Sequence, residues 1–279
     1  THIIGCCNKE LTMFHFNFQN KTYKKEIYEF PEMTCINCVK MSDYNFVLTG
    51  QNCTTYFTNL FFEKNKEVFH TDIIKNRTYR GAIRISDNII ALSSNKVLVD
   101  GKDTLGFYNI QNLSKGGKGY KKSSIEEGKV NEIKGYSFIA SVNGLFLMSR
   151  KKEEQENKIL FCACKKYFEE QKNGILLVDV LDDKNQKILF LYETYNFEVY
   201  CFCPIYLDVK DKNKKIQTDY ILIGGFDTNR KEGRLKLFKA LYDEKNVFSN
   251  IEYLQDIEIG FEGAVSSIIQ SQNYGNILV

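Results

Sequence analysis

The chain contains no tryptophan, two prolines and three histidines in 279 residues, and each scarcity closes off a class of protein. With only Pro31 and Pro204, and no stretch rich in Pro, Gly or Ser, nothing resembling a linker divides it, and the chain reads as one domain. His2, His15 and His70 form no H-E-x-x-H pair and no G-x-S-x-G elbow accompanies them, so metal-dependent and serine hydrolysis lack their usual parts. No run approaches the roughly 20 apolar residues that a membrane-spanning helix needs. None resembles a signal peptide at Thr1, and the missing initiator Met leaves the true start of the chain open. Neither sign of charge dominates: 38 Lys and Arg face 35 Asp and Glu, a net +3. The lysines are spread over gaps rather than gathered, which gives no footprint for nucleic acid or acidic lipid. Helical spacing is scarce as well, with Lys151 to Asn157 and Tyr167 to Gln171 reading as the best candidates for short helical turns.

What is present is strand material. An apolar content of 43% is enough to bury a full core, and abundant Tyr, Phe and Ile favour strands. A short apolar run entered through a turn recurs as His2 to Cys7, Tyr44 to Gly50, Asn88 to Ser93, Lys158 to Cys164, Tyr220 to Gly225 and Gly275 to Val279. Each reads as a buried strand. A second strand with clearer alternation follows the first five: Leu11 to Asn17, Thr54 to Leu60, Leu105 to Ile110, Gly174 to Val180 and Arg234 to Ala240. A third carries the charges: Lys24 to Phe30, Lys66 to Asp72, Lys129 to Ile133, Lys187 to Tyr192 and Ile251 to Ile257. A fourth, short and apolar, precedes the next buried run: Thr34 to Val39, Gly81 to Ile85, Leu145 to Ser149, Tyr200 to Ile205 and Ala264 to Ile269.

The shortest interval between equivalent strands, Leu11 to Thr54, falls near the roughly 40 to 45 residues of a four-stranded propeller blade. Charge also rises along each unit, as it should from an inner strand to a solvated outer edge. The expected fold is therefore all-β: a β-propeller of four-stranded antiparallel blades, with units at about 1–32, 33–76, 77–137, 138–196, 197–260 and a partial 261–279. The buried run occurs six times and the other strands five. That count fits a five-to-six-blade segment of a six- or seven-bladed parent better than a closed five-bladed ring, and predicts an unpaired buried strand at Val279 that promotes self-association.

The order of buried strand, turn and hydrophobic-x-hydrophobic strand resembles the WD40 type of β-propeller. Gly224, Gly225, Gly233, Leu235, Leu237 and Phe238 carry the resemblance, as do Asn173, Gly174, Ile175, Leu177 and Val178. It covers nearly the whole chain but lacks the signature Trp, and no His begins an inner strand, so the hydrogen-bond network of that family is not carried over. The resemblance implies a rigid platform whose rims bind other proteins, and fold alone does not fix function.

Among chemically capable residues, Cys162/Cys164 and Cys201/Cys203 are spaced i, i+2, which turns both thiols of each pair to one face. A four-thiolate zinc site across neighbouring blades is conceivable, but core packing is the default for cysteines on apolar strands. Cys35-Ile-Asn-Cys38 has C-x-x-C spacing without a second pair or a strand-to-helix frame. Nine cysteines frame no small disulfide scaffold, which favours reduced thiols in an intracellular protein. Four sequons at Asn20, Asn52, Asn76 and Asn112 argue for export, although several are expected by chance in an Asn-rich chain. His15, on the face of Met13 and Asn17, reads as a partly solvated structural residue, and His70 falls on a charged outer strand. The carboxylate pairs Asp182/Asp183, Asp208/Asp211 and Glu126/Glu127 sit in charged loops. Asp183-Lys-Asn185 lacks the Gly and Glu of a calcium loop, and Gly116 to Ser123 lacks the spacing of a phosphate cradle. Without Trp, the Asp boxes of sialidase-type propellers and the docking motifs of quinone-dependent ones are missing too.

What remains is surface. Loops gathered at one propeller rim can vary without disturbing the sheets, and the candidates for partner binding are Arg77, Tyr79, Arg80, Tyr136, Glu198, Tyr200, Asp227, Arg230, Phe261 and Glu262, since aromatic and arginine side chains dominate hot spots. Tyr79, Tyr136 and Tyr200 could equally cap contacts between blades. The sequence thus predicts a non-catalytic, cytoplasmic interaction scaffold or sensor propeller within a larger multidomain protein. It needs no cofactor and binds a protein partner or other domains of its own chain. The alternatives are an extracellular, secreted recognition propeller and, less favoured, a propeller hydrolase or lyase using axial carboxylates.

Overall fold

The computed structural model describes residues 2–7, 10–29, 34–42, 45–51, 53–58, 69–75, 78–93, 105–109, 136–138, 143–152, 154–166, 172–182, 186–205, 219–270 and 277–279. Every regular element among them is a strand, and every strand pairing is antiparallel. Two compact units result, residues 1–94 with 107–127 and residues 95–106 with 128–279.

In the first unit β1 (His2–Cys7), β2 (Glu10–Asn17) and β3 (Thr22–Glu29) form one sheet, and β4 (Cys35–Lys40), β5 (Phe46–Gly50), β6 (Cys53–Thr58) and β7 (Phe69–Lys75) a second. A third is formed by β8 (Gly81–Arg84), β9 (Ile89–Ser93) and β10 (Leu105–Asn109). In the second unit β11 (Tyr136–Phe138) and β12 (Leu145–Lys152) both pair with β13 (Gln155–Lys166), followed by β14 (Asn173–Asp179) and β15 (Lys187–Tyr195). The next sheet is β16 (Phe197–Ile205), β17 (Tyr220–Asp227), β18 (Glu232–Tyr242) and β19 (Phe248–Phe261), and β20 (Ile269–Gln270) pairs with β21 (Ile277–Leu278). Apart from β11, which joins the five-stranded sheet beside β12 on β13, each sheet is a meander in chain order, which matches the repeating order of apolar, alternating and charged runs in the sequence.

Burial follows the same order. The buried runs of the sequence are β5 and β9, buried at every residue, and Ile159 to Cys164 of β13 and Ile221 to Gly225 of β17, buried too. The outer strands β15 and β19 are half-buried to exposed, apart from Phe248 and Ile251 at the start of β19. A strand buried on both faces needs a neighbour above and below its sheet. In the second unit, Ile159, Phe161 and Ala163 of β13 and Ile175 and Leu177 of β14 meet Phe197, Val199 and Phe202 of β16, Ile221 and Ile223 of β17, and Phe238 and Ala240 of β18. The opposite face of that last sheet, with Cys201, Cys203, Ile205, Leu222 and Leu235, is covered by Val265 and Ile268. In the first unit, Met41 and Val47 meet Tyr79, Ala82, Ile90, Leu92 and Tyr108 in the same way.

The strand β16 changes face partway. Its register against β17 slips between Val199 and Cys201, leaving Tyr200 as the extra residue of a β-bulge. Val199 therefore faces the neighbouring sheet while Cys201 and Cys203 face the other way. The backbones close up here: a Cβ on Gly225 would sit 2.0 Å from the Glu198 carbonyl oxygen, and one on Gly233 2.1 Å from that of Gly263.

Several expectations are corrected. Lys151 to Asn157 is no helical turn but the tip of the β12–β13 hairpin, in which Lys151 pairs with Glu156 and Lys152 with Gln155; a two-strand ladder satisfies backbone groups that one helical turn would leave open. Tyr136 lies in β11 and pairs with Lys166 of β13, so it belongs to the fourth sheet rather than to the unit ending at 137. The terminal strand is paired, through Ile277 and Leu278 with Gln270 and Ile269, and its side chains are exposed rather than buried. Tyr167 to Gln171 and Lys129 to Ile133 lie outside the described residues.

The core rests on interlocked rings: Phe161 lies 5.7 Å from Phe146, 6.2 Å from Phe202 and 6.5 Å from Phe248. Truncating Phe161 to Ala removes a fully buried ring from between two sheets and is expected to cost about 3–5 kcal/mol. Gly225→Ala should cost about 1–3 kcal/mol through backbone displacement. Urea unfolding of both variants against the parent checks the two values and their order.

Candidate functional site

In the second unit the β15–β16 turn, the β17–β18 turn and the end of β19 lie at one edge of consecutive meanders, because antiparallel strands return their alternate turns to the same end. The β15–β16 turn is tight, with Tyr195 at φ 52°. Asn173 Nδ2 donates to the Tyr195 carbonyl at 2.8 Å, Thr194 Oγ1 to the Phe197 carbonyl at 2.7 Å, and Thr228 N and Oγ1 both to the Asn196 carbonyl. These bonds tie the turns of two sheets together and leave the Tyr195 ring 60% exposed.

Just inside this edge, Lys165 of β13 pairs with Glu198 of β16, and Tyr200 donates its hydroxyl to Glu198 Oε2 at 2.8 Å. The bulge is what brings this about, since it places Tyr200 outside the regular alternation of β16. Burial, then the hydrogen bond and charge of Glu198, push the Tyr200 phenol up to about 12. It stays a protonated donor at neutral pH, and Glu198 is occupied from two sides.

Beside this lies a larger ionic network. Arg234 of β18 donates from Nε to Glu232 at 2.7 Å, from Nη1 to Asp256 at 3.0 Å and from Nη2 to Glu258. Lys236 pairs with Asp256 at 3.1 Å, and Arg230 reaches Glu258 at 3.6 Å. Arg234 is shut off from solvent by these carboxylates rather than by depth in the core. Burial alone would lower its pKa, but Glu232, Glu258 and Asp256 outweigh that and keep it charged. Asp256 feels burial in the opposite sense, yet its hydrogen bond and ion pair with Lys236, a hydrogen bond from Tyr253 and the charge of Arg234 hold its carboxyl below the ordinary value. The Lys236 ammonium also lies 4.9 Å from the centre of the Phe197 ring and 5.4 Å from that of Tyr253.

The sequence candidates divide accordingly. Arg77 lies outside the described residues. Tyr79 is a correction: it is fully buried, with its hydroxyl 2.7 Å from that of Tyr108, because its ring fills the space between two sheets of the first unit. Arg80 is exposed in that unit, its amide donating to the Ser93 carbonyl. Asp227 is committed to its own turn, where Oδ1 accepts from the amides of Asn229 and Arg230, both at 3.0 Å. Glu198, Tyr200, Arg230, Phe261 and Glu262 do share the edge of the second unit. Phe261 is 55% exposed and borders a cleft of about 380 Å³ lined also by Ile259, Ala264, Val265, Ser266, Ser267 and Val279. Tyr195, Lys165 and Arg234 escaped the sequence reading. The Arg234 network was signalled by alternating charges on adjacent strands, Glu232, Arg234 and Lys236 against Asp256 and Glu258.

The cysteine pairs lie on buried faces, as core packing requires. Phe161 and Ala163 face the core shared with the next sheet, so Cys162 and Cys164 face away from it, and Cys201 and Cys203 lie on the far face of that next sheet. Burial pushes the Cys162 thiol well up and those of Cys164 and Cys201 to about 12. Among the described residues, no three His, Cys, Asp or Glu side chains are grouped to hold a metal ion.

The chain matches no protein-family profile and no curated protein. Among solved structures, a functionally unknown protein from Desulfotomaculum acetoxidans DSM 771 is similar at 10% identity and a TM-score of 0.37, over 91% of this chain and 78% of that one.

The network sets a pH dependence. A carboxyl held below its unfolded value stabilises the fold fully above about pH 4, and that contribution is lost as the pH falls through the lower folded value. Unfolding free energy should therefore drop on acidification below about pH 4, and Lys236→Met should flatten this slope by returning Asp256 toward its ordinary value. Urea titrations from pH 2 to 6 check both.

Proposed function

We propose that this chain is part of a β-propeller and works as a non-catalytic platform, binding a protein partner at the edge formed by the β15–β16 turn, the β17–β18 turn and the end of β19. Successive antiparallel meanders of two to five strands, two of them four-stranded, with inner strands buried on both faces, support the propeller reading. The observation that carries the binding reading is that two exposed rings, Tyr195 and Phe261, lie on one edge with Arg230 and Glu262, on turns tied together by hydrogen bonds. Rigid turns present such rings at little entropic cost, and an aromatic anchor ringed by charges is the composition of a binding hot spot. The ionisable groups point the same way. Glu198, Asp227 and the Arg234 carboxylates are engaged in structural hydrogen bonds, and the Tyr200 phenol and the buried thiols are held in their protonated forms.

Affinity capture of the full protein from its native cells, followed by titration with the purified partner, tests this. Phe261→Asp should weaken binding by about 2 kcal/mol, roughly 30-fold in Kd. Lys245→Ala, at the opposite end of the same sheet, should leave it unchanged. A partner held equally by both variants would place the interface elsewhere.

A further inference from the structure

The β2–β3 hairpin carries a row of rings on one face. Phe14 and Phe16 lie 6.1 Å apart, Phe16 and Phe18 6.2 Å, and Tyr23 on β3 is 6.0 Å from both Phe14 and Phe16. The opposite face holds Met13, fully buried. Exposure along the row is greatest toward the turn, where Phe18 is 72% and Tyr23 66% exposed. Phe14 and Phe16 are half-buried, so the open end of the row is Phe18 and Tyr23, two adjacent rings whose exposure calls for something that covers them.

The turn itself supplies a candidate. Asn17 Oδ1 accepts from the amides of Gln19 at 3.1 Å and Asn20 at 3.2 Å, and Lys21 closes the turn at φ 53°. The β17–β18 turn repeats this construction with Asp227, Asn229, Arg230 and Lys231 at φ 57°. Only the first turn carries a sequon, Asn20-Lys21-Thr22, with all three residues exposed. Because Asn17 holds the turn through backbone amides, the Asn20 side chain is not needed for its shape. Phe18 stands two residues before the acceptor and Thr22 two after it, so the ring, the amide and the hydroxyl belong to one tight bend. The sequons at Asn52, Asn76 and Asn112 have their acceptor residues outside the described part.

Four of the nine thiols are compatible with export: Cys162, Cys164, Cys201 and Cys203 are buried, and their raised pKa values leave little thiolate to be oxidised.

We propose that Asn20 is an N-glycosylation site, and that the first sugars of its glycan lie on the exposed ring of Phe18 and cover the open end of the aromatic row. The co-reactant is an oligosaccharide carried on a lipid pyrophosphate. Asn20 Nδ2 forms a bond to the anomeric carbon of the first sugar. The bond from that carbon to the pyrophosphate oxygen breaks, the lipid pyrophosphate leaves with the electron pair, and one amide proton passes to a base of the transferase. Nothing is oxidised or reduced. Thr22 supplies the hydroxyl that the transferase reads, and the glycan, bulky and solubilising, covers apolar surface that would otherwise stay wet.

The test begins with the protein from its native cells, treated with a peptide N-glycosidase in ¹⁸O-labelled water and sequenced by mass spectrometry. Labelled Asp at position 20 is the expected result. Unmodified Asn20 in all of the protein overturns the proposal, whether or not another sequon is occupied. In the second arm, Thr22→Ala should abolish the glycan. The intact glycoprotein should melt several degrees above its enzymatically deglycosylated form, and Phe18→Ala, which keeps the sequon, should erase that difference. Equal melting of the two forms of the parent would overturn the contact with the ring.

Discussion

The constraint on which the structure depends is that β5, β9, β13 and β17 are buried on both faces. A meander that hides its second strand on one side only would leave a row of Ile, Leu, Val and Phe in water, at about 1.5–3 kcal/mol for each side chain. Sheets must therefore stack, and each inner face is shared between neighbours. The Phe161 cluster shows this, because removing any one sheet strands the apolar face of the next. The outer strands escape the requirement, and most of β15 and β19 is half-buried to exposed.

Once stacking is required, the strands nearest the contact must approach closely and still present usable side chains at their ends. The bulge in β16 meets both demands. It lets Val199 pack against one neighbour and Cys201 and Cys203 against another, and the residue it displaces, Tyr200, is turned toward Glu198. Glycines at 225 and 233 admit the passing backbone. Packing and the candidate edge are thus consequences of the same local irregularity.

How much of this could be read from residues alone follows from what each pattern encodes. Runs such as Tyr220 to Gly225 and Lys158 to Cys164 announce strands because apolar continuity marks burial on both faces, and the charged runs after them mark the outer strands. The meander order was legible for that reason. Lys151 to Asn157 misled because a charged hairpin tip and a polar helical turn share a composition, and only the partner strand separates them. The edge was half legible. Phe261 and Arg230 stand out by residue type, whereas Tyr79 carries no mark of its buried partner Tyr108, and no alternation rule foresees a bulge at Tyr200. Arg234 shares its strand with Glu232 and Lys236, but two of its three carboxylates come from 22 and 24 residues farther on, out of reach of local pattern.

The long outer strand β19 has a bearing on association. Among the described residues it ends its sheet and pairs with β18 alone, and it runs for 14 residues, a length of open ladder that would ordinarily invite another chain to add on. Glu252, Asp256 and Glu258 lie along it, two of them already locked into the Arg234 network. A strand that docked there would have to surrender those ion pairs or bury carboxylates without partners. The same charges that lace two strands together thereby also end the sheet, and they turn the most extended edge of the second unit into a poor template for fibril growth.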